Sequence, residues 1–538
     1  MSDVYKRYLN DALYNAGILG FVKALRSDEN RDCSELVEGD SIQINGQDLE
    51  GFDKVFFQSL IQTYEKDTVF MSIMTWREKL SAIEIVDEKN EKDISDAVKF
   101  LLEKGKRASY ESAYSLLAKQ GNTFDFSGAL DELKKTKDND ARLRAALIIM
   151  DEMRKEKEVL ILKDIVYTRV QPFWQNYSFL LRTENKTDFY QAYNKSFLQP
   201  ALQYVSEERK IPKKGVECCQ CRELITVGEA CSMSWINDEG VDINRKTSYY
   251  WNHQPDSYLC PLCALLYSCI PLGFYYQGNQ GVFINQNQSV AQLESSYTTV
   301  SLARSSETAD DSFYAIIRNF IIDIEETQSE KSLKNIQVIR RKDGKYYHHV
   351  FSKNMLERFA RCKDLLSRIS RQYYLSGTTY VSVFDQTIQR LLRNERLYTF
   401  IGDSMRACIS NGRGTNFVFD LLKIQIVFKG KGDVKMYSEM AERARRNGYG
   451  LKKIMSEGEK NENKIKGLAF RLLNSLKSKN RHDFMDVLTR QYMTEGRAIP
   501  TEIICVINDE DAFLDYGYAF IVGLNGYDKE SESNKEEK

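Results

Sequence analysis

Two C-x2-C pairs constrain this chain more than any other feature of its sequence. The first pair is Cys218 and Cys221, the second is Cys260 and Cys263, and 38 residues separate the pairs. Two residues between cysteines let one tight turn aim both thiolates at a single ion about 2.3 Å away, and two such turns complete a tetrahedron. The spacing therefore predicts a zinc site with these four cysteines as its ligands.

A redox-active C-x-x-C site and chance clustering are the competing interpretations of these pairs. A thioredoxin-like site uses a single pair that follows a strand, so the presence of two pairs favours zinc. Three neighbouring residues are alternative ligands, namely Cys219, Cys231 and His253. Four thiolate ligands leave zinc no position for a catalytic water, and we therefore expect the metal to serve folding rather than chemistry.

Four further cysteines and the overall composition indicate an ordinary globular protein. Cys33, Cys362, Cys408 and Cys505 are scattered along the chain, as small core residues usually are. The 538 residues and the 42% hydrophobic content allow about three to four domains with well-packed cores. We see no signal peptide, and the apolar run at residues 262–276 is shorter than the roughly 20 residues of a membrane span. A cytoplasmic protein is therefore expected.

The sequence predicts a helix-rich α+β chain of several domains. Short apolar runs at residues 54–61 and 158–166 are compatible with strands or with buried helices, and this choice stays open. From residue 352 onward, apolar residues repeat at three to four positions, which predicts a helical bundle. The expected order is an N-terminal α+β domain (1–206), a zinc-ribbon-like module (207–275), a polar connecting region (276–350), a basic helical bundle (351–527) and a disordered tail (528–538).

Basic charge is concentrated in one stretch of the chain. Residues 331–500 contain 35 Lys and Arg against 16 Asp and Glu, a net charge of +19. Residues 1–330 carry a net charge of −13 and residues 501–538 a net charge of −7. Such an imbalance costs self-repulsion unless a polyanion or an acidic domain neutralises it, which favours a nucleic-acid partner.

Five cations within that stretch are the candidate nucleic-acid-binding residues. They flank residues 447–450 (NGYG), which we interpret as a flexible aromatic turn. Arginine can fork onto phosphates and tyrosine can stack on an unpaired base, whereas the competing interpretation is a solvated surface. The five are Arg443, Arg445, Arg446, Lys452 and Lys453.

Other motifs do not support an enzyme. The pairs His348-His349 and His482-Asp483 invite comparison with HD-type nucleases, but the chain holds only four histidines and no set of converging ligands is visible. The glycine-bearing loops at residues 412–414 and 429–432 lack the frame that wraps a triphosphate. We therefore predict no catalytic residues.

At four places the chain resembles the CRISPR-associated CXXC-CXXC family, the large subunits of type I-B Cascade complexes. The places are residues 13–21 (LYNAGILGF), the cysteine pairs with residues 271–274 (PLGF), the helical region 468–490, and residues 517–526 (GYAFIVGLNG). The resemblance implies a non-catalytic subunit that binds the guide RNA, reads the protospacer-adjacent motif of the target DNA and stabilises the R-loop. It also implies partner subunits (backbone subunits and a small subunit) and a helicase-nuclease recruited later.

A second hypothesis comes from another functional class. Zinc ribbons also occur in RNA-processing and RNA-modifying enzymes, and a chain of that kind would need a convergent acid, base and nucleophile. The first cysteine pair contains a third cysteine, Cys219, directly after Cys218, so the choice of ligands in this turn stays open.

Overall fold

The computed structural model describes most of the chain, in two compact units. The described residues are 4–83, 85–87, 90–174, 177–181, 188–206, 209, 212–236, 250–251, 254–255, 258–277, 280–302, 317, 336–342, 345–412, 414–429, 434–456 and 462–526. The N-terminal unit comprises Met1–Asp311 and Ile336–Val350, and the C-terminal unit comprises Ser312–Asn335 and Phe351–Lys538. His253, the charged tail 528–538 and residues 413 and 430–432 of the glycine-bearing loops lie outside the described residues.

Helices dominate the N-terminal unit. They are α1 (Ala12–Arg26), α2 (Gly46–Leu49), α3 (Phe52–Tyr64), α4 (Val69–Ser81), α5 (Glu91–Gly105), α6 (Ala108–Lys119), α7 (Phe126–Lys135), α8 (Asn139–Lys155), α9 (Lys157–Ile165), α10 (Phe189–Tyr193), α11 (Gln199–Tyr204), α12 (Pro261–Ser268), α13 (Ile270–Gly273) and α14 (Val290–Leu302). The two ambiguous apolar runs are thus parts of α3 and of α9 with its π-helical continuation Val166–Val170.

Small antiparallel sheets complete the N-terminal unit. Strands β1 (Tyr5–Tyr8), β2 (Val37–Glu38) and β3 (Ser41–Ile44) form a sheet in the order β1-β3-β2. The cysteine-rich segment contributes β4 (Val216–Glu217), β5 (Leu224–Ile225), β6 (Cys231–Ser232), β7 (Tyr250–Trp251), β8 (Gln254–Pro255) and β9 (Tyr258–Leu259), paired as β4-β5, β6-β9 and β7-β8. Strands β10 (Tyr275–Gln277), β11 (Gln280–Asn285), β12 (Ile336–Lys342) and β13 (Lys345–Phe351) follow in sequential order in a four-stranded sheet.

Helix α1 lies at the centre of the N-terminal unit and packs backbone to backbone on the α12–α13 pair. A Cβ added to Gly20 would lie 2.0 Å from the carbonyl oxygen of Cys269, and one added to Gly17 would lie 2.4 Å from that of Leu266. From the opposite side, a Cβ on Gly273 would lie 2.0 Å from the carbonyl oxygen of Ala16. Only glycine permits such an approach, so two segments far apart in sequence are fitted to each other.

Among its described residues, the C-terminal unit is a helical assembly with one β-hairpin. Its helices are α15 (Lys353–Arg361), α16 (Lys363–Ile369), α17 (Val383–Leu392), α18 (Tyr398–Asn411), α19 (Asn416–Lys429), α20 (Val434–Met455), α21 (Glu462–Lys477), α22 (Arg481–Thr494), α23 (Thr501–Val506) and α24 (Glu510–Asn525). Strands β14 (Tyr373–Ser376) and β15 (Thr379–Ser382) form the hairpin, which we did not predict from the sequence. The helix-rich α+β fold class is confirmed.

The interpretation of residues 447–450 as a flexible turn is wrong, because these residues lie inside the 22-residue helix α20. Gly448 faces α24, where a Cβ would lie 2.0 Å from the carbonyl oxygen of Phe520. A Cβ on Gly523 of α24 would lie 1.9 Å from the carbonyl oxygen of Arg445. Gly448 therefore permits close packing of α20 on α24, and the backbone at this glycine remains helical.

None of the helices among the described residues combines the length and the apolar character needed to cross a bilayer.

A matched pair of glycine substitutions tests the packing of α1. Gly20→Ala places a methyl group against the backbone of residue 269, and we expect it to lower the free energy of unfolding by about 2 kcal/mol or more. Gly46→Ala is the control, because its methyl group would meet no atom within 4 Å. Urea unfolding monitored by tryptophan fluorescence compares the two variants, and equal effects would contradict the close packing.

Candidate metal centre

The first cysteine pair lies in a tight turn between β4 and β5. The backbone N–H of Cys218 donates to the carbonyl oxygen of Glu223 at 3.0 Å, and the N–H of Arg222 donates to the carbonyl oxygen of Cys218 at 2.9 Å. Arg222 adopts a φ of 63°, the left-handed conformation that closes such a turn. The turn brings the side chains of Cys218 and Cys221 to the same side.

The second cysteine pair begins helix α12. Cys260 is the N-cap residue, and its Sγ accepts a hydrogen bond from the backbone N–H of Cys263 at 3.3 Å. Pro261 follows at the first helical position, where its fixed φ favours helix initiation. Helix geometry therefore holds the two sulfur atoms of this pair on one side of the first turn.

Backbone pairing to Tyr258 brings the two turns together. The N–H of Cys219 donates to the carbonyl oxygen of Tyr258 at 2.8 Å, beside an isolated β-bridge between Cys218 and Tyr258. The four Sγ atoms of Cys218, Cys221, Cys260 and Cys263 all lie within 4.8 Å of one another.

The donor set has the dimensions of a tetrahedral zinc site. The Sγ atoms of Cys221 and Cys260 are 3.7 Å apart. Zinc–sulfur bonds of about 2.3 Å give a sulfur–sulfur edge of about 3.8 Å in a regular tetrahedron. The four cysteines are therefore compatible with zinc in both chemistry and spacing.

Burial makes this cluster unfavourable without a cation. Cys260 and Cys263 are fully buried, and loss of solvent raises the pKa of both thiols well above the ordinary value. Four ionised sulfurs at this separation would repel one another strongly. A divalent ion removes both penalties, since coordination deprotonates thiols and neutralises their charge.

A buried arginine from β1 contacts the cluster. Nη2 of Arg7 lies 3.8 Å from the Sγ of Cys260, and the guanidinium forks onto the carboxylate of Glu223 at 2.9 and 3.0 Å. Burial alone would lower the pKa of Arg7, but negative charge on Cys263 and Cys260 raises it well above the usual range. Zinc with four thiolates carries a net charge of −2, which the charge of Arg7 partly offsets.

Helix α1 reaches the cluster through hydrogen bonds. The hydroxyl of Tyr14 lies 3.2 Å from the Sγ of Cys263. Gln220, within the first turn, donates to Asp11 Oδ2 and to the hydroxyl of Tyr267, both at 2.5 Å. Because Asp11 also caps α1, the first cysteine turn is tied directly to the start of that helix.

Two of the alternative ligands lie outside the four-sulfur group. The thiol of Cys219 contacts the sulfur of Met233 at 3.6 Å, and burial raises its pKa to about 12. The thiol of Cys231 contacts the carbonyl oxygen of Glu229 at 3.6 Å, and burial raises its pKa to about 11. His253 lies outside the described residues.

Sequence reasoning did not identify Arg7 or Tyr14 as neighbours of the cysteines. More than 200 residues separate them from the second pair, and no local pattern marks either residue. For Tyr14 a signal was present, because the motif at residues 13–21 contains it. For Arg7 the sequence carries no comparable signal.

The five candidate nucleic-acid contacts lie on α20 but differ in their surroundings. Arg443, Arg446 and Lys453 are exposed. Arg445 lies over the ring of Phe419 at 4.8 Å and 3.9 Å from Glu442, so its side chain is engaged in packing. The Nζ of Lys452 donates to the carbonyl oxygens of residues 525 and 526 at the end of α24.

The other histidine motifs lie apart from the cysteine cluster. His348 and His349 lie on β13, and the exposed His482 lies on α22 beside Asp483, which accepts a hydrogen bond from Ser475. In the part of the chain that the structure describes, the four cysteines are the one group of three or more His, Cys, Asp or Glu side chains placed to share an ion.

The cysteine module also matches a known family. Residues 213–275 match the family model described as CRISPR-associated protein (Cas_CXXC_CXXC). For the cysteine module, this match supports a relationship to a CRISPR-associated CXXC-CXXC family. No curated protein matches the chain, and no solved structure matches it. The matched segment contains all four clustered cysteines and ends where β10 begins.

Metal analysis tests the centre directly. We expect purified protein to contain about one zinc ion per chain, and Cys263→Ser to release it and to lower the free energy of unfolding, because a buried ligand is lost. Cys219→Ser is the matched control, since this thiol lies outside the group, and it should retain zinc. Well-folded protein without zinc, or equal metal loss in both variants, would contradict the assignment.

Proposed function

We propose that the chain is the non-catalytic large subunit of a type I-B CRISPR interference complex and that it binds guide RNA and target DNA there. The match of residues 213–275 to a CRISPR-associated family carries this proposal. A second observation supports it. The family-like segments 13–21 and 271–274 contact each other through Gly273 and Ala16, so the resemblance extends over one packed structural element beyond the matched residues.

In this proposal the zinc centre has a structural role. When bound, zinc supplies four bonds that hold the two cysteine turns together. Arg7, Tyr14 and Gln220 then connect these turns to β1 and α1. Because all four ligands are thiolates, no coordination position remains for water or substrate. Cleavage of the target would fall to the helicase-nuclease that is recruited to the complex.

Nucleic-acid binding is assigned to the exposed cations of α20. Part of the positive charge in the C-terminal unit is paired internally with acidic residues of α24, as in the ion pair of Lys479 with Glu510 at 2.6 Å and that of Arg396 with Asp511 at 2.6 Å. The guanidinium groups of Arg443 and Arg446, in contrast, make no hydrogen bond or ion pair within the described chain. Exposed and unpaired arginines are suited to phosphate contacts, which position a protein without reading sequence.

Copurification tests the assignment to a complex. Tagged protein, isolated from cells that express the complete CRISPR locus, should bring with it a guide RNA of uniform length and repeated backbone subunits in stable stoichiometry. The chain purified alone should cleave neither RNA nor DNA. Isolation without RNA would contradict the proposal, and RNA processing or modification by the isolated chain would favour the zinc-stabilised enzyme.

Salt dependence tests the assignment to α20. Replacing Arg443 and Arg446 by alanine should reduce the slope of log affinity against log salt by about 1.4 for single strands and about 1.8 for duplex. Arg445→Ala is the control, because this side chain packs on Phe419, and it should affect stability more than the slope. A slope that stays unchanged in the double variant, with the fold intact by circular dichroism, would show that these arginines only solvate the helix.

A further inference from the structure

A cleft with a volume of about 720 Å³ lies within the C-terminal unit. It is lined by the end of α18, the start of α19, the second half of α20, the start of α21 and the end of α24. Its volume falls in the range of about 300 to 1,000 Å³ that is typical of ligand pockets. The residues that carry the argument are Tyr449, Lys452, Lys453, Glu462 and Lys466.

Two lysines present unpaired charge to this cleft. The ammonium groups of Lys453 on α20 and Lys466 on α21 make no hydrogen bond or ion pair within the described chain. Lys452 differs, because its ammonium group bonds to the end of α24 and fixes one wall. Glu462 is the acidic lining residue. The two unpaired ammonium groups favour an anionic ligand.

Tyr449 supplies an aromatic surface beside these charges. It follows Arg446 by three residues and precedes Lys453 by four, so helix geometry places the three side chains on neighbouring positions of α20. Tyr449 is partly buried, and its side chain makes no ring contact or hydrogen bond within the described chain. A tyrosine ring between two cations suits a base whose phosphates lie on either side.

No packing contact requires glycine at position 450 of α20. A Cβ at Gly448 would collide with α24, but a Cβ at Gly450 would meet no atom within 4 Å. Glycine inside a helix costs roughly 0.5–1 kcal/mol relative to alanine, and the packing of Gly450 does not offset this cost. Gly450 does not line the cleft, so alanine at this position changes the stability of α20 without touching the proposed site.

We propose that this cleft binds one unpaired nucleotide of a single-stranded nucleic acid, with the base on Tyr449 and a phosphate on Lys453 and Lys466. The inference rests on the proposed nucleic-acid function and adds the site and the strand type. Inside a duplex, stacked neighbours cover both faces of a base and leave none for the tyrosine ring, so duplex is excluded from this contact. Arg446 lies about 10.5 Å along the helix from Lys453 and can contact a neighbouring phosphate.

Binding of a fluorescein-labelled dT12 oligonucleotide to the full chain, measured by fluorescence anisotropy, tests the site. Tyr449→Ala should weaken binding by about tenfold, whereas Tyr449→Phe keeps the ring and should bind like the native chain. Lys466→Gln should weaken binding and lower the salt slope by about 0.7. Lys464→Gln is the matched control on the same helix, because its exposed side chain does not line the cleft.

Gly450→Ala separates binding from folding. It should raise the thermal unfolding midpoint, because alanine favours the helix, and leave dT12 binding unchanged, because Gly450 does not line the cleft. The blunt dA12·dT12 duplex should be insensitive to Tyr449→Ala. Equal sensitivity of the duplex, or equal affinity for dTMP alone and for dT12, would overturn the single-strand assignment.

Failure of the cleft proposal can be distinguished from failure of the proposed function. If the Tyr449 and Lys466 variants bind dT12 like the native chain, the cleft proposal is overturned, even when guide RNA still copurifies with the native complex. If guide RNA does not copurify but dT12 binding depends on Tyr449, the cleft is supported and the assignment to a CRISPR complex is not.

Discussion

The backbone contact between α1 and the α12–α13 pair is the constraint on which the N-terminal unit depends. Gly17, Gly20 and Gly273 allow the two segments to approach more closely than any side chain permits. Cys260 and Cys263 form the first turn of α12, so any ion held by the cysteines also fixes the position of that helix. Folding of the metal site and packing of the central helix are therefore one event in this account.

Charge balance around the cysteines follows from the same arrangement. Strand β1 brings Arg7 to the sulfur of Cys260, and Glu223 at the end of the first cysteine turn orients the guanidinium with two hydrogen bonds. A buried arginine would be costly alone, but beside a zinc–thiolate centre it offsets part of the net negative charge. The same residue thus links the N-terminal sheet, the first cysteine turn and the second pair.

Local patterns predicted the parts of this structure that depend on local spacing. The two cysteine pairs indicated the four sulfur atoms that lie within 4.8 Å of one another, and the repeat Ile465, Leu468, Leu472 and Leu476 indicated the buried face of α21. Long-range contacts were not accessible in this way. Residues 447–450 have the composition of a turn. Only the contact of Gly448 with Phe520, far away in the sequence, explains why glycine occupies this helical position. Arg445 and Arg446 are adjacent in sequence, yet one packs on Phe419 and the other faces solvent.

Hydrogen exchange with and without a zinc chelator tests most directly whether the metal site organises the N-terminal unit. We predict that chelation lowers amide protection in α1 (Ala12–Arg26) together with α12 (Pro261–Ser268), although α1 supplies none of the four clustered cysteines. Helix α21 of the C-terminal unit should keep its protection and serves as the internal reference. Loss of protection confined to the two cysteine turns, with α1 unchanged, would show that the metal site does not organise the central helix.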